Sequence, residues 1–291
     1  MNINPLVSII VITYNSSKYV LETLESAKAQ TYQNIELIIS DDGSKDQTVE
    51  LCEKWLAENK DRFVNSQIIM VEKNTGIPAN CNRGVKASKG EWIKLIAGDD
   101  ILMPSCIIDN VEYVKSIKSS FIVSDLTYFN SEGVINYTTL YEISKFFSKT
   151  YLEQKRHYLK YPLFLNTPSF FYSRAVLETV GFFDEQYFYI EDTPLIYRVY
   201  ENNYKISFLN KKTVLNRKDS GNITTKKSDL NRKLKEDLYL LYKNYRRPRL
   251  KNENLCKILT GLDFYFVRKN MTSGILYSFF SKIYSKYKFS I

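Results

Sequence analysis

The sequence predicts an α/β fold, a mainly parallel, doubly wound sheet flanked by helices, with a basic helical extension at its C-terminus. Three observations carry that prediction. Strand and helix patterns alternate as β-α-β-α-β-α-β over the first hundred residues. The strand candidates are continuous apolar, β-branched runs, as expected where both faces of a strand are covered. Each run then stops at a polar or acidic cluster, and in open α/β sheets ligands bind beyond the carboxyl ends of the strands.

The elements follow in order. Leu6-Val-Ser-Ile-Ile-Val-Ile-Thr13 is a buried strand, and Asn15-Ser-Ser17 supplies a helix start before Tyr19, Val20, Leu24 and Ala27 at helical spacing. Ile35–Ser40 is the second strand, running into the turn Asp41-Asp-Gly-Ser-Lys-Asp46; a helical pattern resumes over Val49–Leu56. Gln67–Val71 is the third strand, and a loop over Glu72–Gly76 leads into a helix through Ala87. Glu91–Ile96 is the fourth, ending at Ala97-Gly-Asp-Asp100. Right-handed crossovers would join these strands. Beyond Pro104 the alternation loosens. A helix over Ile107–Lys118, strands over Phe121–Ser124 and Tyr204–Leu209, and helices near Ala175–Val180 and Pro194–Glu201 are expected, whereas Tyr128–Lys160 is aromatic and polar without a clear period. The expected division is 1–225 for the sheet domain, split into 1–104 and 105–225, and 226–291 for the extension.

Composition narrows the class. The four cysteines, Cys52, Cys81, Cys106 and Cys256, form no C-x-x-C pair and read as isolated thiols, and one histidine, His157, precludes a multi-histidine metal site. The run Val7–Ile12 is too short for a signal segment and lacks its flanks. No stretch approaches the roughly 18 apolar residues that would span a bilayer. A cytoplasmic protein is the expectation. Of 41 Lys and Arg against 32 Asp and Glu, 16 and 5 respectively fall in Lys226–Ile291, so the positive excess lies entirely in the tail.

Three acidic pairs are the candidates for chemistry, and each has a plainer reading. Asp99-Asp100 would repel one another at a strand end, which a divalent cation shared with a diphosphate would relieve; helix capping is as good an account of the pair alone. Asp41-Asp42 could accept from a base or ribose, or could close an Asx turn. Asp192, before Thr193-Pro194, stands at a helix start, as a general base or as a cap. Arg83, Lys94 and Arg198 are within range of a phosphate or are ordinary surface cations.

In order, these blocks resemble family 2 inverting glycosyltransferases of the GT-A, Rossmann-like fold. Val7–Asn15 is similar to the opening strand and turn, Gln30–Asp46 to the second strand with its acidic turn, Asn74–Gly84 to a third block, and Lys89–Asp100 to the strand ending in an acidic metal motif. Gly181-Phe-Phe-Asp-Glu185 and Glu191-Asp-Thr-Pro-Leu-Ile-Tyr-Arg198 resemble the acceptor-side block with its Glu-Asp pair. The resemblance covers roughly residues 5–225. It implies a nucleotide-sugar donor, a UDP-sugar first, with Thr13, Tyr14 and Asn15 against the nucleotide, Asp42 on the base and Asp99 on the ribose. Asp100 would hold Mn2+ or Mg2+ and Asp192 would take the acceptor's proton. Two departures stand out: Cys81 replaces a frequent arginine, and no histidine follows the last strand, where Asp219 in Asn216–Thr224 is offered as a further metal ligand.

The tail mixes basic residues with Tyr, Phe, Leu and Ile; Gly274–Lys288 suits an amphipathic helix on an anionic membrane, where a lipid-linked saccharide acceptor could be met, or a helical cap with a solvated basic face. The implied role is assembly of a capsule or other cell-envelope polysaccharide at the inner membrane face. A dehydrogenase is disfavoured because Thr13–Ser17 lacks G-x-G-x-x-G. No base-reading motif supports nucleic-acid binding. A non-catalytic, glycosyltransferase-like partner subunit is the remaining alternative, against which the complete set of aspartates argues.

Overall fold

The structure, a computed structural model, describes residues 4–135, 140–160, 162, 165–218, 232–246 and 248. Asp219 and the Gly274–Lys288 segment lie outside them. The first half runs β1 (Val7–Thr13), α1 (Val20–Lys28), β2 (Ile35–Asp41), α2 (Thr48–Asn59), β3 (Asn65–Met70), α3 (Ile77–Ala87) and β4 (Trp92–Ala97). The second runs β5 (Ile101–Leu102), α4 (Cys106–Ile117), β6 (Phe121–Asn130), β7 (Gly133–Ile135), α5 (Leu140–Phe147), α6 (Tyr151–Lys160), β8 (Phe170–Ser173), α7 (Arg174–Val180), α8 (Asp192–Glu201), β9 (Ile206–Arg217) and α9 (Arg232–Leu241).

Among the described residues one sheet of nine strands has the order β3-β2-β1-β4-β8-β6-β9-β5, with β7 paired to β6. The expected parallel character holds over β3-β2-β1-β4. From β4 onward the sheet is mixed: β8 is antiparallel to both β4 and β6, while β6 and β9 are parallel. Register sets Thr13 beside Asp41, and Ile12 beside Ala97, so three acidic or polar strand ends share one edge.

Why β1 is apolar throughout follows from its two faces. Val7, Ile9 and Val11 join one buried cluster with residues of α1, α2 and α4, and Ile10 joins the other with α3, α7 and α8. Each such side chain contributes about 1.5–3 kcal/mol by leaving water. α3 lies so close to β1 that a Cβ on Gly84 would sit 2.3 Å from Ile10 Cγ2.

Two local readings are corrected. Asn15–Ser17 do not cap α1 by a side chain; the helix is entered through the Ser16 carbonyl, which accepts from the N–H groups of Tyr19 and Val20 at 3.0 and 2.9 Å. Those three residues instead tie the β1 turn to the neighbouring loop, with Asn15, Ser16 and Ser17 N–H donating to Ser44 Oγ, Thr48 Oγ1 and Asp46 Oδ2. The unassigned 128–160 stretch holds a β6–β7 hairpin and two helices. The second of these starts with a capping box: Thr150 Oγ1 donates to Glu153 Oε2 at 2.8 Å and accepts from Glu153 N–H at 3.4 Å.

The described part of the extension rests on the domain. α9 continues into a π-helical turn, Tyr242–Arg246, whose Tyr245 stacks on Tyr197 of α8 with centroids 5.0 Å apart. Among the described residues no helix is long and apolar enough to cross a membrane.

Candidate active site

At the ends of β1 and β2 the adjacent aspartates have separate work. Asp41 closes the turn: its carboxylate accepts from the N–H groups of Gly43 and Ser44, from Ser44 Oγ, and from Thr13 Oγ1 at 2.7 Å. The Asx-turn reading therefore belongs to Asp41, and the buried Thr13 hydroxyl is spent on it. Asp42 faces the other way. It accepts from Thr75 N–H (3.0 Å), Thr75 Oγ1 (2.7 Å), Gly76 N–H (2.9 Å) and Arg83 Nη2 (2.6 Å). Tyr14 stands outside this network, 47% exposed, and Asn15 takes a left-handed φ of 52° while its Oδ1 accepts from Lys45 N–H.

At the end of β4, Gly98 passes against Thr13 and Ser16, where a Cβ would lie 2.9 Å from Thr13 Cγ2. The chain then turns through Asp99 into buried Asp100, whose two oxygens accept from Asn216 Nδ2 at 3.0 and 2.9 Å and whose Oδ1 accepts from Arg217 N–H at 2.8 Å. Burial, then the charge of Asp99, raises the Asp100 carboxyl to about 7. Arg217 braces this corner: its Nε donates to the Asp99 carbonyl, its Nη2 to Glu22 Oε2 at 2.6 Å, and its guanidinium lies over the rings of Tyr19 and Phe129 at 3.9 and 4.4 Å. Sequence reasoning missed Arg217, although it stands in the block searched for a metal ligand.

The corner suits a hard cation. Asn216 Oδ1 is buried with no hydrogen-bond partner beside the Asp100 carboxylate, and burial and the charge of Asp99 leave that carboxylate's negative charge under-compensated. Among the described residues no cluster of three His, Cys, Asp or Glu completes a cage.

Glu191 and Asp192 form the second charged centre. Asp192 begins α8, as its Thr-Pro context predicts, and accepts from the Thr193 N–H and from Thr193 Oγ1 at 3.1 Å. Burial outweighs these bonds and pushes Asp192 up to about 6. Burial and the Asp192 charge push Glu191 to about 8, against a hydrogen bond from Thr167 Oγ1 at 2.6 Å. Stabilisation of the ionised form by the helix start is thus the lesser effect here.

α3 links the two centres. Gly76 and Ile77 at its start contact the 188 turn, where the Ile77 N–H donates to the Phe188 carbonyl at 2.8 Å; further along, Asn82 pairs with the Phe183 backbone in both directions. Two cations considered for phosphate are engaged internally. Lys94 Nζ is fully buried and donates to the Pro168 carbonyl at 2.5 Å, and Arg198 Nη1 and Nη2 donate to the carbonyls of Val180 and Phe182. Cys81 is buried among apolar neighbours, its thiol pushed well up by that burial.

Comparison with known proteins agrees with this architecture. Glycosyltransferase GlyG of Streptococcus pneumoniae serotype 4 is 27% identical over 234 residues, 77% of this chain and 75% of GlyG. Escherichia coli WfaP, a UDP-Glc:alpha-D-GlcNAc-diphosphoundecaprenol beta-1,3-glucosyltransferase, is 35% identical over 41% of this chain and 45% of its own length. Staphylococcus aureus TarS, residues 1–349 with UDP-GlcNAc, superposes with a TM-score of 0.65 at 23% identity, over 92% of this chain and 75% of that one. A mannosyltransferase from Pyrobaculum calidifontis with GDP-Man and Mn2+ superposes equally, TM-score 0.65, at 14% identity over 92% and 73%. These likenesses show a GT-A fold, and the profile of Glycosyl transferase family 2 matches residues 8–181: the chain belongs to that family and is a glycosyltransferase using a nucleotide-sugar donor.

Proposed function

We propose that this enzyme transfers a sugar, with inversion, from a UDP-sugar to a hydroxyl of a glycan or lipid-linked saccharide, with Asp192 as general base. The observation that carries this reading is Asp192 itself: a buried carboxylate at a helix start, raised to about 6. Such a group is ionised at neutral pH yet more basic than a solvated aspartate, which is what proton abstraction from an alcohol requires.

In the reaction the acceptor O–H gives its proton to Asp192 as its oxygen bonds to the anomeric carbon. The bond from that carbon to the diphosphate oxygen breaks, and the nucleoside diphosphate leaves with the electron pair. Attack from the face opposite the leaving group inverts the centre. On the donor side Tyr14 and Asn15 flank the nucleotide, Thr13 supports them through Asp41, and Asp99 takes the ribose. A base N–H replaces one of the four donors on Asp42; Arg83, 21% exposed at its side chain, is the one able to swing aside. Asp100, with the orphaned Asn216 oxygen and Asp219, would hold Mn2+ or Mg2+, which supplies positive charge to the departing diphosphate. UDP is favoured by the donors of WfaP and TarS, manganese by the mannosyltransferase complex, and a saccharide acceptor on a lipid diphosphate by the name of WfaP. Polysaccharide assembly of this kind suits peripheral attachment to the inner membrane face through the rest of the basic tail.

The test is calorimetric titration of UDP with and without Mn2+, on wild type and Asp100→Asn, followed by a screen of UDP-sugars. Manganese-dependent binding lost in the variant supports the reading. Silence toward UDP, with binding of dTDP or GDP, would overturn the choice of nucleotide, and silence toward all three the placement of the site.

A further inference from the structure

The C-terminal extension is strongly basic, yet one of the side chains that its described part buries is an acid. Asp237 of α9 is 3% exposed. Its Oδ1 and Oδ2 accept from the Phe188 N–H at 3.1 and 2.9 Å, and Oδ2 accepts from the Tyr189 N–H at 2.6 Å. The Ile190 N–H is directed at the same carboxylate. Three successive N–H groups converging on one anion form a backbone nest, an arrangement that fixes the turn carrying them. Lys233, one turn earlier on α9, places its ammonium 3.5 Å from the Phe188 ring centroid, gripping the turn from a second direction.

What the turn touches gives the contact its consequence. Two residues beyond Ile190 is Asp192. On the other side, Phe188 offers its carbonyl to the Ile77 N–H at 2.8 Å and packs so tightly on Gly76 that a Cβ there would lie 2.7 Å from the Phe188 oxygen. Gly76 N–H in turn donates to Asp42. A single short turn therefore separates Asp237 from both the donor-side aspartate and the acceptor-side one.

We propose that Asp237 is a positioning residue for Asp192: by locking the 187–190 turn it sets the start of α8, so that the basic extension completes the active site of the domain it follows. The proposal rests on the reading of Asp192 as the base. Tyr187 is buried at the start of the turn, 1% exposed, but an apolar anchor accepts no hydrogen bond and so cannot replace the carboxylate's hold on the amides that follow it; a misplacement of about 1 Å in a reacting group can cost 10²-fold in rate.

Asp237→Asn in the full chain keeps the size of the side chain but turns an NH2 toward amide N–H groups that need an acceptor. The expected result is a fall in kcat of about tenfold or more, UDP affinity within about twofold of wild type, and faster hydrogen exchange at Phe188, Tyr189 and Ile190. Asp237→Glu, which keeps the acceptor, is expected to recover part of the kcat. A kcat unchanged in Asp237→Asn overturns the proposal, as does a loss of kcat matched by an equal loss of UDP affinity, which would mark a general structural role. Asp192→Asn is measured alongside: if it retains wild-type kcat, the base reading fails and the positioning role falls with it, whereas a loss of kcat in Asp192→Asn but not Asp237→Asn overturns the positioning role alone. If Asp237→Asn shows no cooperative melting, wild-type exchange decides: amides at 188–190 that exchange as freely as an exposed loop overturn the proposal, and slow exchange there upholds it.

Discussion

The donor side and the acceptor side of this site hold their carboxylates in opposite ways. Asp41 and Asp42 each accept four hydrogen bonds from groups fixed by β1, β2 and the start of α3. Asp192 is also buried, 8% exposed against 2% for Asp42, but draws its bonds from the residue next to it, with a second acid, Glu191, alongside, and its carboxyl rises to about 6. The contrast teaches where reactivity can be kept. A satisfied carboxylate is a fixture, and on the proposed reading it reads the donor; a buried, underserved one is the more basic of the two, and on that reading the base, because hydrogen bonds to the charged form lower basicity and desolvation raises it.

Asp192→Asn should break the comparison hardest. Loss of a general base costs about 10²–10⁴ in kcat, while UDP affinity, which belongs to the other side, should stay within about twofold. Steady-state kinetics and calorimetry on the same preparation check both. Asp42→Asn should do the reverse. Leaving one of its donors, such as the Arg83 guanidinium or the Gly76 N–H, without an acceptor costs about 1–3 kcal/mol, read as UDP affinity weakened by about 5- to 150-fold with a smaller change in kcat.

A pH profile sharpens the contrast further. With Asp192 at about 6, kcat should fall as pH drops below that value, because the protonated acid cannot accept a proton. Glu191, raised by burial and by Asp192, gains its charge only near 8, so the pair gives two apparent values rather than one each. Glu191→Gln should leave the neutral-pH rate within about threefold and the acid limb near 6, because Glu191 is still protonated and uncharged at that pH and it is burial that raises Asp192. An acid limb that stays near 4 in wild type would show that burial does not tune the base.

Much of this was legible in the residues. Strand ends at Thr13, Asp41 and Ala97, and α8 beginning at Asp192, follow from continuous apolar runs and from proline's place in a first helical turn. The division of labour between Asp41 and Asp42 was not, because adjacent residues of one turn look alike until the backbone says which way each points. Arg217 and Asp237 were hidden for another reason: their partners, Asp99, Glu22 and the 188–190 amides, are distant in sequence, and a lone charge in a basic segment carries no period. The Thr150–Glu153 capping box was readable as T-x-x-E before an apolar pattern, but the surrounding aromatics obscured the helix it opens.

The smallest effect separates the two sides by sign. An aspartate raised from 3.8 to about 6 on folding binds a proton in the folded state that the unfolded chain has already released between those values. Stability therefore falls as pH rises through that window, and the full penalty is present above about 6. At about 1.4 kcal/mol per pKa unit the cost is at most about 3 kcal/mol. Replacing the carboxylate by a neutral amide removes it, so Asp192→Asn should melt a few degrees higher than wild type at pH 8, with the gain vanishing near pH 4. Asp42→Asn should melt lower at pH 8, since it exchanges an acceptor for a donor among four fixed donors. The two variants carry the same chemical change on two buried aspartates, and calorimetric melting at pH 8 and pH 4 compares them directly. Destabilisation by both would mean that Asp192 is held as firmly as Asp42, and that the activity lost in its variant reflects damage to α8 rather than removal of a base.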